Sequence, residues 1–299
     1  MNRINYSDCT ICGSSSISKA LETKDYSISK EPYEIWECIS CGFHFTQNVP
    51  DQEHIAPYYQ SEDYISHSDT KKGIVNNLYH RVRQIMLARK YKIVKKYSRF
   101  GKLLDYGAGT GYFPGYVKSQ GHDVEAIEID PEARAYAQKT FGISVHEPAA
   151  LVNNTFQDGQ FDAITLWHAM EHLYDPKSYL VHFRKLLAEN GHLIIAVPNY
   201  TSKDCQYYGK HWAAYDVPRH LWHFSPSTMR QLGKHEGFTL VDKQPMPFDS
   251  FYVSLLSEKY KNGKTGLLGG FRRGFASYRA SASNVDRCSS VIYVFRKVG

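Results

Sequence analysis

The sequence has no run of eighteen consecutive apolar residues, which excludes a helix that crosses a bilayer. It has no long apolar stretch behind Met1-Asn2-Arg3-Ile4-Asn5, so a signal peptide is not expected and a cytoplasmic location is. It has no block of five like charges. The net charge of +6 is spread over pairs such as Lys71-Lys72, Lys95-Lys96 and Arg272-Arg273, whereas a dedicated nucleic-acid surface shows stronger clustering. Nucleic acid is therefore not the expected partner. The chain does have what a core needs. Of its 299 residues, 42% are hydrophobic and 14% aromatic, enough for one sizeable core plus a small accessory unit and too aromatic for disorder.

Cysteine is scarce, at six residues, and cytosolic thiols stay reduced, so a disulfide scaffold is not expected. Four of the six form two matched pairs, Cys9-Thr10-Ile11-Cys12-Gly13 and Cys38-Ile39-Ser40-Cys41-Gly42. Two-residue spacing lets both thiolates of a pair reach one ion, and the following glycine permits a tight turn whose backbone N–H groups donate to sulfur. Cys9, Cys12, Cys38 and Cys41 are thus expected to hold a structural Zn2+ with no open coordination position. An iron–sulfur cluster is the other metal centre that four thiolates suit. Cys205 and Cys288 have no such pattern and read as small core residues.

Residues 1–50 therefore form a zinc-ribbon-like module, with Tyr33-Glu34-Ile35-Trp36-Glu37 alternating as a strand does. Residues 51–98 form a helical and aromatic lid segment. Within it, Pro57-Tyr58-Tyr59-Gln60-Ser61-Glu62-Asp63-Tyr64 lacks clean periodicity. Leu78, Val82, Ile85, Met86, Ile93, Val94 and Tyr97 recur at helical spacing. From residue 99 strands alternate with helices: strands at Lys102–Tyr106, Val124–Ile129, Phe161–Leu166, Leu193–Val197, Phe238–Lys243 and Ser290–Lys297. Helices are expected at Phe113–Ser119, Glu132–Thr140, Pro176–Leu187 and Pro226–Glu236. That alternation predicts an α/β, Rossmann-like sheet covered by helices on both faces. Two long insertions interrupt it, at 199–224 and 245–289, and long insertions are usually functional.

The segment Leu103-Leu104-Asp105-Tyr106-Gly107-Ala108-Gly109-Thr110-Gly111-Tyr112 runs from an apolar strand through three alternate glycines into a helix. Glycine lets the backbone approach a ligand closely, at the strand ends where open parallel sheets bind nucleotides. Tyr112 stands where a dinucleotide fingerprint needs its third glycine, and no P-loop motif occurs. Glu128 ends the next strand, where an acid can accept both ribose hydroxyls.

These residues resemble class I S-adenosylmethionine methyltransferases, especially the group that includes ubiquinone-biosynthesis O-methyltransferases. The likeness lies in Asp105–Gly111, Ala126-Ile127-Glu128-Ile129-Asp130, Phe161–His168 and Gly191–Asn199. It implies a seven-stranded sheet whose last strand, Ser290–Lys297, lies antiparallel between the fifth and sixth. It implies S-adenosyl-L-methionine as cofactor, with Gly107, Gly109 and Gly111 along its methionine part and Asp105, Ala108 and Tyr112 beside them. Glu128 and Ile129 would hold the ribose, and Trp167 would back the sulfonium. Glu147 or Ala149 would meet the adenine.

His168-Ala169-Met170-Glu171-His172 follows the fourth strand, and Asp216-Val217-Pro218-Arg219-His220 lies in the first insertion. Both resemble segments that flank the acceptor pocket of that group. His168, Glu171, His172 and His220 are the candidate catalytic residues. His168 suits a general base. The set also resembles the E-x-x-E-H metal motif, with His168 replacing its first Glu. A purely orienting role is the third reading. The expected partner is a small-molecule acceptor, quinone-, sugar- or glycan-precursor-like, and the oligomeric state is left open. RNA methylation read by the ribbon and a non-enzymatic binding protein are the alternatives.

Overall fold

The computed structural model describes residues 2–59, 74–98, 101–264 and 266–298. Gln60–Tyr64 of the aromatic segment and the Lys71-Lys72 pair lie outside them. Near the N-terminus, strands β1 (Arg3–Ile4), β2 (Ile17–Lys24), β3 (Pro32–Cys38), β4 (His44–Thr46) and β5 (Val49–Pro50) carry the two cysteine pairs between them. The alternation in β3 buries Tyr33 and Ile35 while Glu34 and Trp36 stay half-exposed, as period-two patterning requires.

Helix α1 (Ile74–Tyr97) follows. It packs Leu87, Ile93 and Val94 inward, but Ile85 is 56% exposed and not part of the apolar face. Two residues turn an α-helix by about 200°, so Ile85 points away from Leu87. The alternating core then runs β6 (Leu103–Tyr106), α2 (Tyr112–Ser119), β7 (Val124–Ile127), α3 (Pro131–Phe141), β8 (Ser144–His146), β9 (Phe161–Trp167), α4 (Pro176–Leu186) and β10 (Leu187–Pro198). The chain continues through α5 (Lys203–Tyr208), β11 (Trp222–His223), α6 (Pro226–His235), β12 (Phe238–Pro245), α7 (Asp249–Asn262), α8 (Leu267–Ser283) and β13 (Ser290–Lys297). Helix α3 starts where Asp130 accepts from the Glu132 and Ala133 N–H groups and stops at left-handed Gly142.

The seven-stranded sheet has the order β12-β13-β10-β9-β6-β7-β8. Strand β13 runs antiparallel to both β10 and β12, and the other neighbours are parallel. Most element bounds fall within two residues of expectation, and two differences bear on the site and the sheet. Strand β7 ends at Ile127, so Glu128 opens the following loop. Strand β10 begins at Leu187, paired with Phe161, with a bulge before His192; the polar Glu189-Asn190-Gly191 of that bulge hides its start in the sequence.

The four-stranded sheet has the order β11-β4-β3-β2, so its edge is supplied by the 199–224 insertion. Trp222 faces Phe45 and His223 faces His44 in that pairing. Cys9, Cys38, Phe43 and Phe45 share one hydrophobic cluster with Leu104, Tyr106, Leu166, Trp222 and Phe224. Large apolar side chains of this kind stabilise by about 1.5–3 kcal/mol each when fully buried.

Arg219 joins the same two regions. It is 2% exposed. Its guanidinium donates to Asp25 Oδ1 at 3.1 Å, to Asp216 Oδ1 at 2.6 Å and Oδ2 at 2.9 Å, and to the Tyr58 carbonyl at 2.8 Å.

Candidate active site

The glycine loop turns as its residues allow. Gly107, Gly109 and Gly111 have φ of 74°, 54° and 79°, a region that costs other residues about 1–2 kcal/mol. Their surroundings differ. A Cβ on Gly111 would lie 2.5 Å from Ala137 Cβ, so this glycine lets α2 and α3 approach. A Cβ on Gly109 would meet nothing within 4 Å. Packing therefore needs a glycine at 111, whereas at 109 the backbone borders open space.

The loop and its acid are joined. Gly107 and Ala108 N–H groups donate to the Ile127 carbonyl at 2.9 and 3.1 Å. Glu128 accepts from Gly109 N–H at 2.6 Å and Asp130 N–H at 3.0 Å. Ile129 lies 69% exposed beside it. Tyr112 carries the Arg83 guanidinium 4.0 Å over its ring. Under the loop, Asp105 is buried and accepts from Thr165 Oγ1 at 2.5 Å. Burial pushes its carboxyl up to about 7, against the pull of Thr165 and Lys90. Glu147 and Ala149 are exposed just past the end of β8.

Trp167 ends β9, buried edge-on against Phe113 at 5.1 Å, and its buried indole N–H has no hydrogen-bond partner. Over its face stands Lys90 of α1, with Nζ 4.6 Å from the ring centroid. Burial lowers the Lys90 pKa; Asp105 and Asp249 oppose that fall.

His168 adopts a left-handed backbone at φ 59°, a strained state that non-glycine residues keep only where the surroundings fix it. Both ring nitrogens face carboxylates: Nδ1 lies 3.2 Å from Glu171 Oε1, and Nε2 lies 2.9 Å from Asp249 Oδ2. Burial lowers its pKa, but the hydrogen bonds to Asp249 and Glu171 outweigh burial and raise it to about 10. The ring is thus an imidazolium at neutral pH, with no lone pair to offer. Its folded pKa stands above the unfolded value near 6.5, so its contribution to stability is complete below that value and is lost as pH rises through about 10. Alkaline melts should show this slope in the wild type, and His168→Asn should flatten it. An identical slope in the variant would contradict the assignment.

His172 and His220 are arranged otherwise. Their ring centroids lie 4.7 Å apart. His172 Nδ1 lies 3.0 Å from the Arg219 carbonyl, and His220 Nδ1 lies 2.9 Å from the Ala214 carbonyl. A nitrogen facing a carbonyl must donate, so Nδ1 is a donor in both rings and Nε2 is the atom turned toward the other partners. Burial, with His220 nearby, lowers the His172 pKa to about 4, so its ring is neutral. Glu171 is buried, and its Oε2 has no partner. One ligand atom from each of Glu171, His172 and His220 lies within 4.8 Å of the others.

The four ribbon cysteines converge in the same way. All four sulfurs lie within 4.8 Å of one another, with Cys9–Cys41 at 3.5 Å and Cys12–Cys38 at 3.6 Å. Tetrahedral zinc with bonds near 2.3 Å sets sulfurs about 3.8 Å apart. Backbone N–H groups of Ile11 and Cys12 donate to Cys9 sulfur, and those of Ser40 and Cys41 to Cys38 sulfur. The glycine N–H groups go instead to the Cys9 and Cys38 carbonyls at 2.8 Å.

The structure therefore brings together the glycine loop with Glu128, His168 with Glu171, and Glu171 with His172 and His220. Sequence reasoning missed Lys90 and Asp249. A lysine between Leu87 and Val94, on the apolar side of α1, was the available signal for the first. An acid in the first turn of a helix reads as an ordinary end charge, and nothing local marks the second.

A family described as a methyltransferase domain matches residues 78–243. The ubiquinone biosynthesis O-methyltransferase of Cereibacter sphaeroides is 26% identical over 159 residues, covering 50% of this chain and 64% of that protein. The enzyme of the same name from Pectobacterium carotovorum is 28% identical over 131 residues, 42% of this chain and 54% of its own length. The chain thus spans less than two thirds of these relatives. Magnesium protoporphyrin IX methyltransferase from Synechocystis, solved with bound S-adenosylhomocysteine, superposes with a TM-score of 0.54 at 11% identity, over 83% of this chain and 100% of that one. That likeness is one of fold.

Proposed function

Because this chain belongs to the methyltransferase-domain family, matched over more than half its length, we propose that it transfers a methyl group from S-adenosyl-L-methionine to a hydroxyl of a small-molecule acceptor. The observation that carries the reading is the loop at Gly109, open above its backbone and tied to Glu128 at 2.6 Å. The cofactor's contribution when bound is an electrophilic sulfonium methyl. Gly107, Ala108 and Gly109 line its methionine part, with Asp105 beneath and Tyr112 beside them. Glu128 and Ile129 border the ribose, and Trp167 closes the far side. Helix α1 covers this site and brings Lys90, whose cation suits a carboxylate.

Alignment of acceptor and methyl supplies most of the rate, on the order of 7–11 kcal/mol for well-oriented reactants. The proton of the acceptor hydroxyl passes to Nε2 of His220, whose Nδ1 faces the Ala214 carbonyl; His172, with its pKa lowered to about 4, is too weak a base for that step. His168 holds Glu171 and Asp249 in place. The relatives named for ubiquinone biosynthesis favour a phenolic, quinone-type acceptor. The orphaned Glu171 Oε2 favours a second reading, in which Glu171, His172 and His220 hold a divalent cation; dialysis against a chelator would then abolish turnover, and unchanged turnover leaves the base reading alone. The test of the main proposal is calorimetry. S-adenosylhomocysteine should bind at micromolar concentration and NAD should not. Absence of binding at millimolar S-adenosylhomocysteine would overturn it.

The four cysteines hold a structural zinc ion in this reading. Metal analysis should return one zinc per chain, and Cys9→Ser should release it. Because Cys9 and Cys38 share a cluster with Leu104 and Leu166, that loss should lower the main melting transition rather than create a separate early one. A zinc content unchanged by the substitution counts against the site.

A further inference from the structure

Helix α8 is turned inside out for a helix packed on a protein core. Its buried positions are all small: Gly270, Gly274, Ser277 and Ser281. Its outward positions carry Leu267, Leu268, Phe271 and Phe275, each more than half exposed. The small residues are required by contact with α7. A Cβ on Gly270 would lie 2.7 Å from Leu255 Cδ2, and one on Gly274 would lie 2.8 Å from Phe251 Cα. The two helices form a close hairpin whose apolar bulk faces outward.

That bulk is organised. Leu268, Phe271, Phe275 and Tyr278 recur at steps of three and four and form one stripe. Phe251 of α7 extends it, with its ring 6.1 Å from both Phe271 and Tyr278. Exposed apolar area gathered this way marks an interaction surface. Its exposed edge is cationic, while the neighbouring carboxylate, Glu258, is buried against Gly266 and Gly269. From Lys259 to Val285 the sequence holds six basic residues, Lys259, Lys261, Lys264, Arg272, Arg273 and Arg279, and no acid. Arg272 and Arg279 follow Leu268 and Phe275 by one turn, along one edge of the stripe.

We propose that this face of the α7–α8 hairpin docks on an anionic lipid bilayer surface. The leucines and phenylalanines enter the headgroup boundary, and the cations meet lipid phosphates. With 17 residues and three arginines, α8 lies on the bilayer rather than across it. A second copy of the chain is the poorer occupant, since pairing two such faces brings the Arg272 and Arg279 edges of both copies together, while Lys261 and Arg273 are drawn to Tyr207. The inference does not rest on the methyl-transfer reading.

Flotation of the full-length protein tests it, using vesicles of phosphatidylcholine with phosphatidylglycerol and vesicles of phosphatidylcholine alone. The protein should float with the anionic vesicles and be released by salt. Combined Leu268→Ser, Phe271→Ser and Phe275→Ser should weaken partitioning by roughly tenfold or more. Arg272→Glu with Arg279→Glu should remove the preference for anionic lipid while leaving the melting temperature and the apolar stripe intact. Absence of wild-type flotation at low salt would overturn the proposal. So would equal flotation by both variants, or an effect seen only as a change from dimer to monomer in sedimentation.

Discussion

Gly109→Arg should abolish S-adenosylhomocysteine binding, a loss of at least about a hundredfold by calorimetry, while the protein still melts cooperatively. The separation follows from the surroundings of the residue. A Cβ there would meet no atom within 4 Å, so the fold bears mainly the left-handed backbone at φ 54°, about 1–2 kcal/mol. The arginine instead fills the space the proposal gives to the cofactor, beside the Glu128 carboxylate that would hold it there. Gly111→Val is the control of opposite character. Its Cβ would press Ala137 Cβ at 2.5 Å and Ala137 Cα at 3.3 Å, a clash between α2 and α3 that should cost roughly 1–3 kcal/mol in stability. If Gly109→Arg retained normal binding, the loop would not be the cofactor cradle.

Arg219→Ala should be the most destabilising single change, by about 3–5 kcal/mol, a large share of the 5–15 kcal/mol typical of a folded domain. Burial raises the pKa of Asp25 and Asp216, and the guanidinium outweighs it and holds both below the usual carboxylate range. Removing it strands Asp25, fully buried, and Asp216 together. Asp25 also accepts from the Ser27, Ile28 and Ser29 N–H groups, so it has no route to solvent that spares that turn. Arg219→Lys should rescue little, because one ammonium cannot reproduce a fork that meets Asp25, Asp216 and the Tyr58 carbonyl at once. Chemical denaturation measures the loss; a change under 1 kcal/mol would mean that the buried network is dispensable.

What was legible in the sequence follows distance along the chain. The glycine loop and each cysteine pair are marked by neighbours a few residues away, and Glu128 by its place at the end of the strand that follows the loop. The sheet order, with β13 reversed, was accessible through resemblance alone. The partners of His168 were half visible: Glu171 lies three residues on, but Asp249 lies eighty-one residues away at the start of α7. Lys90 reads as a surface lysine until α1 is laid against β9. Strand β11 is two residues long and, among the described residues, pairs only with β4, so it carries no period of its own. Tertiary contact, not local preference, decides all three.

Strand β11 also bears on heredity. Because the edge of the four-stranded sheet is lent by a segment some 175 residues downstream, recombination that swapped residues 1–50 for a foreign ribbon would leave Trp222 and His223 without backbone partners. The stretches around 44–46 and 222–223 are therefore constrained to change together, and a foreign ribbon would be accepted only if its own β4 could take up the same pairing.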